Sequence, residues 1–96
     1  EHVLPQNPKQ GSTWLKLFRN NDKPDRHASR LGNLTFLTRE QNQAADRHDW
    51  AVKQPILATS GFVLSEEAAK TPEWTPQSIR QRLEEMIAVL LKGFRM

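Results

Sequence analysis

The stretch from Thr75 to Phe94 constrains the fold most. Ile79, Leu83, Met86, Ile87, Leu90, Leu91 and Phe94 recur at i, i+4, i+7, i+8, i+11, i+12 and i+15, the spacing that lines one face of an α-helix. Thr75 is of the type that caps helix N-termini, and Pro76 follows at the first helical position, where its missing N–H would have no partner anyway. The pattern predicts a long amphipathic helix from residue 76. Its stripe has to be covered, by the core or by a partner helix. Arg80, Arg82, Lys92 and Arg95 lie among it, placed for solvent or for phosphates.

The remainder must supply that cover from a chain of 96 residues, 36% of them hydrophobic, which suffices for one small core. Pro5 and Pro8 each fix their own φ and disfavour helix in the residue before them. Residues 1–10 are therefore extended or turn-like, and His2 could sit at the end of a short strand or be a solvated surface residue. Ser12 resembles an N-cap, and Trp14, Leu15, Leu17 and Phe18 share a face, so a short helix is expected over 13–19. Residues 20–25 form a loop by composition. Gly32 fits a position that needs positive φ or close backbone approach. Leu34 to Leu37 is rich in strand formers.

Thr38 with Gln41 makes a capping-box pattern, which predicts a helix from about Arg39 that runs on through Asp46, Arg47 and His48. Asn42 then lies one turn inside a helix that directly follows a strand. Trp50, Val52 and Lys53 come next, with Pro55 breaking the pattern. Residues 56–72 are mixed, with a helical turn or two over 65–70 and a boundary at 71–74. The fold class expected is α+β, mainly helical. No internal repeat or low-complexity segment is present.

A net charge of +3 and a pI of about 9.7 suit a polyanionic partner such as nucleic acid. The chain has no cysteine, so disulfides and thiolate zinc sites are excluded. Its apolar runs are too short to span a bilayer and no signal peptide is seen, so a cytoplasmic protein without a membrane partner is expected. The first residue is Glu1, not Met, which suggests a C-terminal fragment of a larger protein.

Chemistry concentrates in two segments. Glu1 and His2 set a carboxylate beside an imidazole. Gly32-Asn33-Leu34-Thr35-Phe36-Leu37-Thr38 offers a glycine turn, an apolar run and then Asn42, nine residues after Asn33. In order, His, Asn and Asn recur with the spacing of an HNH-type metal-dependent nuclease.

Glu-His-Val-Leu-Pro-Gln at 1–6, Arg-Leu-Gly-Asn-Leu-Thr-Phe-Leu-Thr at 30–38, and Asn42 resemble the C-terminal HNH (His-Me finger) nuclease domain of GmrSD-type modification-dependent restriction endonucleases. Trp50, Lys53, Trp74-Thr75, Ile79 and Arg82 resemble that family's helical tail. The resemblance implies a small ββα-metal finger with a short β-hairpin surrounded by helices: a single nuclease domain over 1–96, with the finger in 1–48 and the tail in 49–96. It implies His2 as general base, Glu1 and Asn42 as oxygen ligands to Mg²⁺ or Mn²⁺, and Asn33 as the residue that pins the loop so that the imidazole points at the phosphate. It also implies DNA as substrate and an upstream nucleotide-hydrolysing domain in the parent protein.

The family tends to show Asn where Asp46 stands, one helical turn after Asn42. Asp46 could face the same ion or be exposed. His27 could reach the metal or a phosphate, or be solvated. Arg30, Arg39 and Lys53 are candidates for nucleic-acid contact. In a non-catalytic nucleic-acid-binding module, Lys9, Lys16, Arg19, Arg30, Arg39 and Arg47 would supply the phosphate contacts. A third reading is a helical interaction domain that docks through the 79–94 stripe. RNA remains open as a substrate, because HNH chemistry does not itself select the sugar.

Overall fold

The computed structural model describes residues 1–94. They form a mainly helical domain with six α-helices: α1 Thr13–Leu17, α2 Pro24–His27, α3 Arg39–Ala45, α4 Trp50–Ala58, α5 Val63–Ala69 and α6 Pro76–Phe94. Short 3-10 turns at Asn20–Asp22 and Leu31–Asn33 precede α2 and the Leu34–Thr38 segment. Arg95, counted above among the basic residues of the last helix, lies outside the described residues.

Two helix starts form as their local chemistry requires. At α3 the Thr38 hydroxyl accepts from the Gln41 N–H at 3.1 Å, and the Gln41 side chain accepts from the Thr38 N–H at 2.9 Å. At α6 the same exchange is made by Thr75 and Ser78, with Ser78 in the place usually held by Glu or Gln. Helix α3 ends at Ala45, short of the expected run to His48, because Asp46 turns to φ 38°, ψ −130°. Pro55 lies inside α4 and does not end it. It lacks the N–H that would reach the Ala51 carbonyl. Burial of Leu57 beyond it, and the Thr59 N–H and hydroxyl on the Pro55 carbonyl, hold the last turn.

The described residues contain no strand. Glu1–Val3 and Asn33–Thr35 meet in one antiparallel bridge between His2 and Leu34. The Glu1 α-amino group and the Thr35 N–H each donate to the other's carbonyl at 3.0 Å, and Val3 N–H donates to Asn33 O at 3.0 Å. Side chains stop the ladder from growing. Leu4 N–H and C=O are both taken by Asn33, and Phe36 N–H and C=O are both taken by the Ser65 hydroxyl. The strand expected over 34–37 is therefore not formed.

The core is built on Leu4, Trp14, Phe18, Trp50, Leu57, Trp74 and Ile79. Trp14 in α1 and Phe18 just past it are buried, while Leu17 is exposed. Gly32 is buried with no positive φ; its role is close approach. A Cβ there would overlap the carbonyl oxygen of Ile79 and lie 3.1 Å from that carbonyl carbon. The stripe of α6 divides: Ile79 is buried, whereas Ile87, Leu90 and Leu91 are 45–55% exposed.

Candidate active site

Asn33 organises the site although it lies beneath it. It is fully buried, and each hydrogen-bonding position of its amide is filled. Oδ1 accepts from Leu4 N–H at 2.8 Å and from the Trp74 indole N–H at 2.9 Å. Nδ2 donates to the carbonyls of Leu4 and Ala28 at 3.0 and 2.8 Å. An amide offers two donors and two acceptor lone pairs, so none is left for a substrate. Asn33 fixes the backbone at Leu4, two residues after His2.

The helical tail closes around the same segment. Arg82 donates through Nη1 to the Gly32 and Leu34 carbonyls at 2.9 and 2.7 Å, and its guanidinium lies 5.8 Å from the Trp74 ring centroid. Trp74 also packs on Trp50, with ring centroids 5.0 Å apart. From α4, Lys53 sends its ammonium to Glu1 Oε2 at 2.9 Å and to the carbonyls of His2 and Val3 at 3.0 and 2.9 Å.

Above these supports lies an open cavity of about 480 Å³. Glu1 and His2 line it from one side and Asn42 and Asp46, on and just past α3, from the other. Arg47 also lines it, donating to the Asn7 carbonyl at 3.0 Å across the mouth. Burial lowers the His2 pKa below its ordinary 6.5; Lys53 acts in the same sense, and Glu1 opposes them. The imidazole is therefore neutral at pH 7. Burial likewise pushes the Lys53 ammonium below the usual lysine value, with Glu1 opposing. Among the described residues, no three His, Cys, Asp or Glu side chains gather closely enough to hold a metal ion by themselves.

The structure thus brings together Glu1, His2, Asn42 and Asp46 and puts Asn33 behind them. It places others elsewhere. Lys53 is 0% exposed with all three ammonium protons engaged, so the phosphate contact expected of it has no donor left. His27 is neither solvated nor at this cavity. It is 1% exposed, donates through Nε2 to Asp22 at 2.8 Å, and meets the Phe18 ring edge-on. With Asp22, Arg26, Arg30 and Arg80 it lines a separate cleft. Arg30 and Arg39 are exposed, at that cleft and on the first turn of α3 respectively.

Sequence reasoning missed the buried role of Lys53, and a signal existed. Trp50, Lys53 and Leu57 lie at i, i+3 and i+7, one helical face. A lysine between two core residues calls for an anion beside it.

A base with oxygen donors around one cavity is the equipment of hydrolytic chemistry. Comparison with protein families sharpens this: residues 1–89 match the model for GmrSD restriction endonucleases, C-terminal domain, and the chain belongs to that family. No curated protein and no solved structure gives a match. No helix among the described residues is long and apolar enough to cross a membrane.

Proposed function

We propose that the chain is a metal-dependent DNA endonuclease domain of the HNH type, hydrolysing phosphodiester bonds in foreign or modified DNA. One observation carries the reading: Glu1, His2, Asn42 and Asp46, from segments far apart in sequence, line one cavity. His2 acts as general base. Its neutral imidazole takes a proton from the attacking water, a task suited to a nitrogen that is uncharged at pH 7. Asn33 is a positioning residue, holding Leu4 and with it the course of the chain at His2.

Glu1 and Asn42 would hold Mg²⁺ or Mn²⁺, with Asp46 as a further oxygen donor. The residues fit such an ion. The donors are hard oxygens and few, and Mg²⁺ keeps several waters while taking one or two carboxylates; Zn²⁺ in a structural site wants four protein ligands. When bound, the ion supplies positive charge to the phosphate in the transition state. The single His2–Leu34 bridge stands in this reading for the hairpin of a ββα-metal finger within 1–48, braced by the tail of 49–96. Arg30, Arg39 and Arg47 are available to DNA phosphates. The parent protein would carry a nucleotide-hydrolysing domain upstream and act in the cytoplasm, with RNA as a further possible substrate.

One observation favours the alternative of a non-catalytic nucleic-acid-binding module: Glu1, the expected ligand, is already paired with Lys53. Cleavage of supercoiled plasmid by the full-length protein separates the two. Nicking or linearisation in Mg²⁺ or Mn²⁺ that stops in EDTA supports the nuclease. DNA retarded in a gel but never cut supports the binding module.

A further inference from the structure

Burying an ammonium is costly unless each proton finds an oxygen. All three protons of Lys53 do, and the three acceptors belong to one tripeptide, Glu1-His2-Val3. That tripeptide delivers Glu1 and His2 to the cavity. Packing alone does not call for a charge here, since a well-packed apolar side chain in place of a buried ion pair is often as stable or more so. What the ammonium adds is direction. Along a regular strand, successive residues face opposite ways, yet the carbonyls of His2 and Val3 converge on one nitrogen, and the chain bends at Val3 and Leu4. The anchor is itself rigid. Helix α4 is tied down by the Trp50 indole N–H, shared between the carbonyls of Thr71 and Pro72, and by the stack of Trp50 on Trp74.

We propose that Lys53 is a positioning residue of the cavity, setting the bend at Val3–Leu4 and holding one oxygen of Glu1 so that the other, Oε1, is presented to a divalent cation. The cation half rests on the metal-dependent reading above; the backbone half does not.

The test uses the full-length protein with Lys53→Met, Glu1→Gln and the double variant, and two readouts other than cleavage. Amide hydrogen exchange reports the backbone. In Lys53→Met the Val3 and Thr35 amides, which close the bridge, should exchange at least about 10-fold faster relative to the amides of α6. Mn²⁺ affinity, followed by paramagnetic resonance, reports Glu1. It should fall by about 10–100-fold in Lys53→Met, the usual effect of removing a group that orients a ligand. In the Glu1→Gln background, Lys53→Met should add little further loss.

Equal acceleration at all amides would make Lys53 a contributor to global stability only, and would overturn the backbone half. An unchanged Mn²⁺ affinity, or the same fall with and without Glu1, would overturn the cation half. Absence of Mn²⁺ binding in the wild type would overturn the cation half together with the nuclease reading, and the exchange result would still decide the backbone half. If Lys53→Met does not fold, Lys53→Arg takes its place. It keeps the charge but cannot place three donors on the same three oxygens, and the same outcomes apply.

Discussion

Replacing Asn33 by Ala is the perturbation whose size the structure defines best. The change strands four buried groups at once: Leu4 N–H, Leu4 C=O, Ala28 C=O and the Trp74 indole N–H. A buried polar group left without a partner costs about 1–3 kcal/mol, so four of them set a loss of about 4 kcal/mol at the low end of that range. A domain of 96 residues has roughly 5–14 kcal/mol of stability in total, at about 0.05–0.15 kcal/mol per residue. Asn33→Ala should therefore lose from about a third to most of that stability, with Tm lowered by about 16–32 °C. Asn33→Asp is nearly isosteric and should be no milder at neutral pH. It would set a buried carboxylate oxygen against the Leu4 and Ala28 carbonyls, where Nδ2 now donates. Urea unfolding followed by circular dichroism checks both, with the slope compared to confirm that only stability has changed. A loss below about 1.5 kcal/mol for Asn33→Ala would refute the reasoning, because it would mean that no more than one of the four groups depends on the amide.

Two further predictions rest on neighbouring features. Gly32→Ala should destabilise by about 1–3 kcal/mol in the same urea assay, because the added Cβ meets backbone of α6, which cannot move alone; since Gly-to-Ala exchange in open helical surroundings usually stabilises, the sign is the test. Asp22 accepts from His27 and from Arg80 at 2.6 Å, and the His27 hydrogen bond, followed by the charge of Arg80, holds its pKa below the ordinary 3.8. A depressed folded pKa gives a contribution that is complete above the unfolded value and lost as pH falls through the folded one. The gap in urea midpoint between wild type and Asp22→Asn should thus be widest near neutral pH and shrink below about pH 4; a gap that grows on acidification would contradict the pairing.

What could be read from the sequence was local, and what could not was long-range. The capping box at Thr38 and Gln41 spans three residues, and the start of α6 at Thr75-Pro76 is set within one turn, so both were legible. The stripe of α6 was legible as a period, but which part of it is covered depends on Gly32 meeting Ile79 from 47 residues away. The face shared by Trp50, Lys53 and Leu57 signals a buried lysine, but its partner Glu1, 52 residues away, has no local signal. The burial of His27 comes from nearer partners, Phe18 and Asp22, which the turns at 19–23 fold over it without any periodic pattern to announce it. The end of α3 was misjudged because Asp46 adopts a positive φ that no nearby Gly announces. The missing strand has a comparable cause. Leu34 to Leu37 has strand composition, but Ser65 and Asn33 satisfy with side chains the backbone groups that a ladder would have used.

His2 carries the chemistry proposed for this cavity. Single-turnover cleavage of a supercoiled plasmid by the full-length protein in Mg²⁺, wild type beside His2→Ala, tests it most directly. Urea midpoints for the two proteins show whether both are folded. The side chain of His2 lies at the cavity and its backbone carries the support from Lys53, so the variant should keep the wild-type midpoint. Its cleavage rate should fall by about 10²–10⁴-fold, the usual share of a general base. Wild-type cleavage rates in a folded His2→Ala protein would contradict the assignment of His2 and remove the chemical role from this cavity.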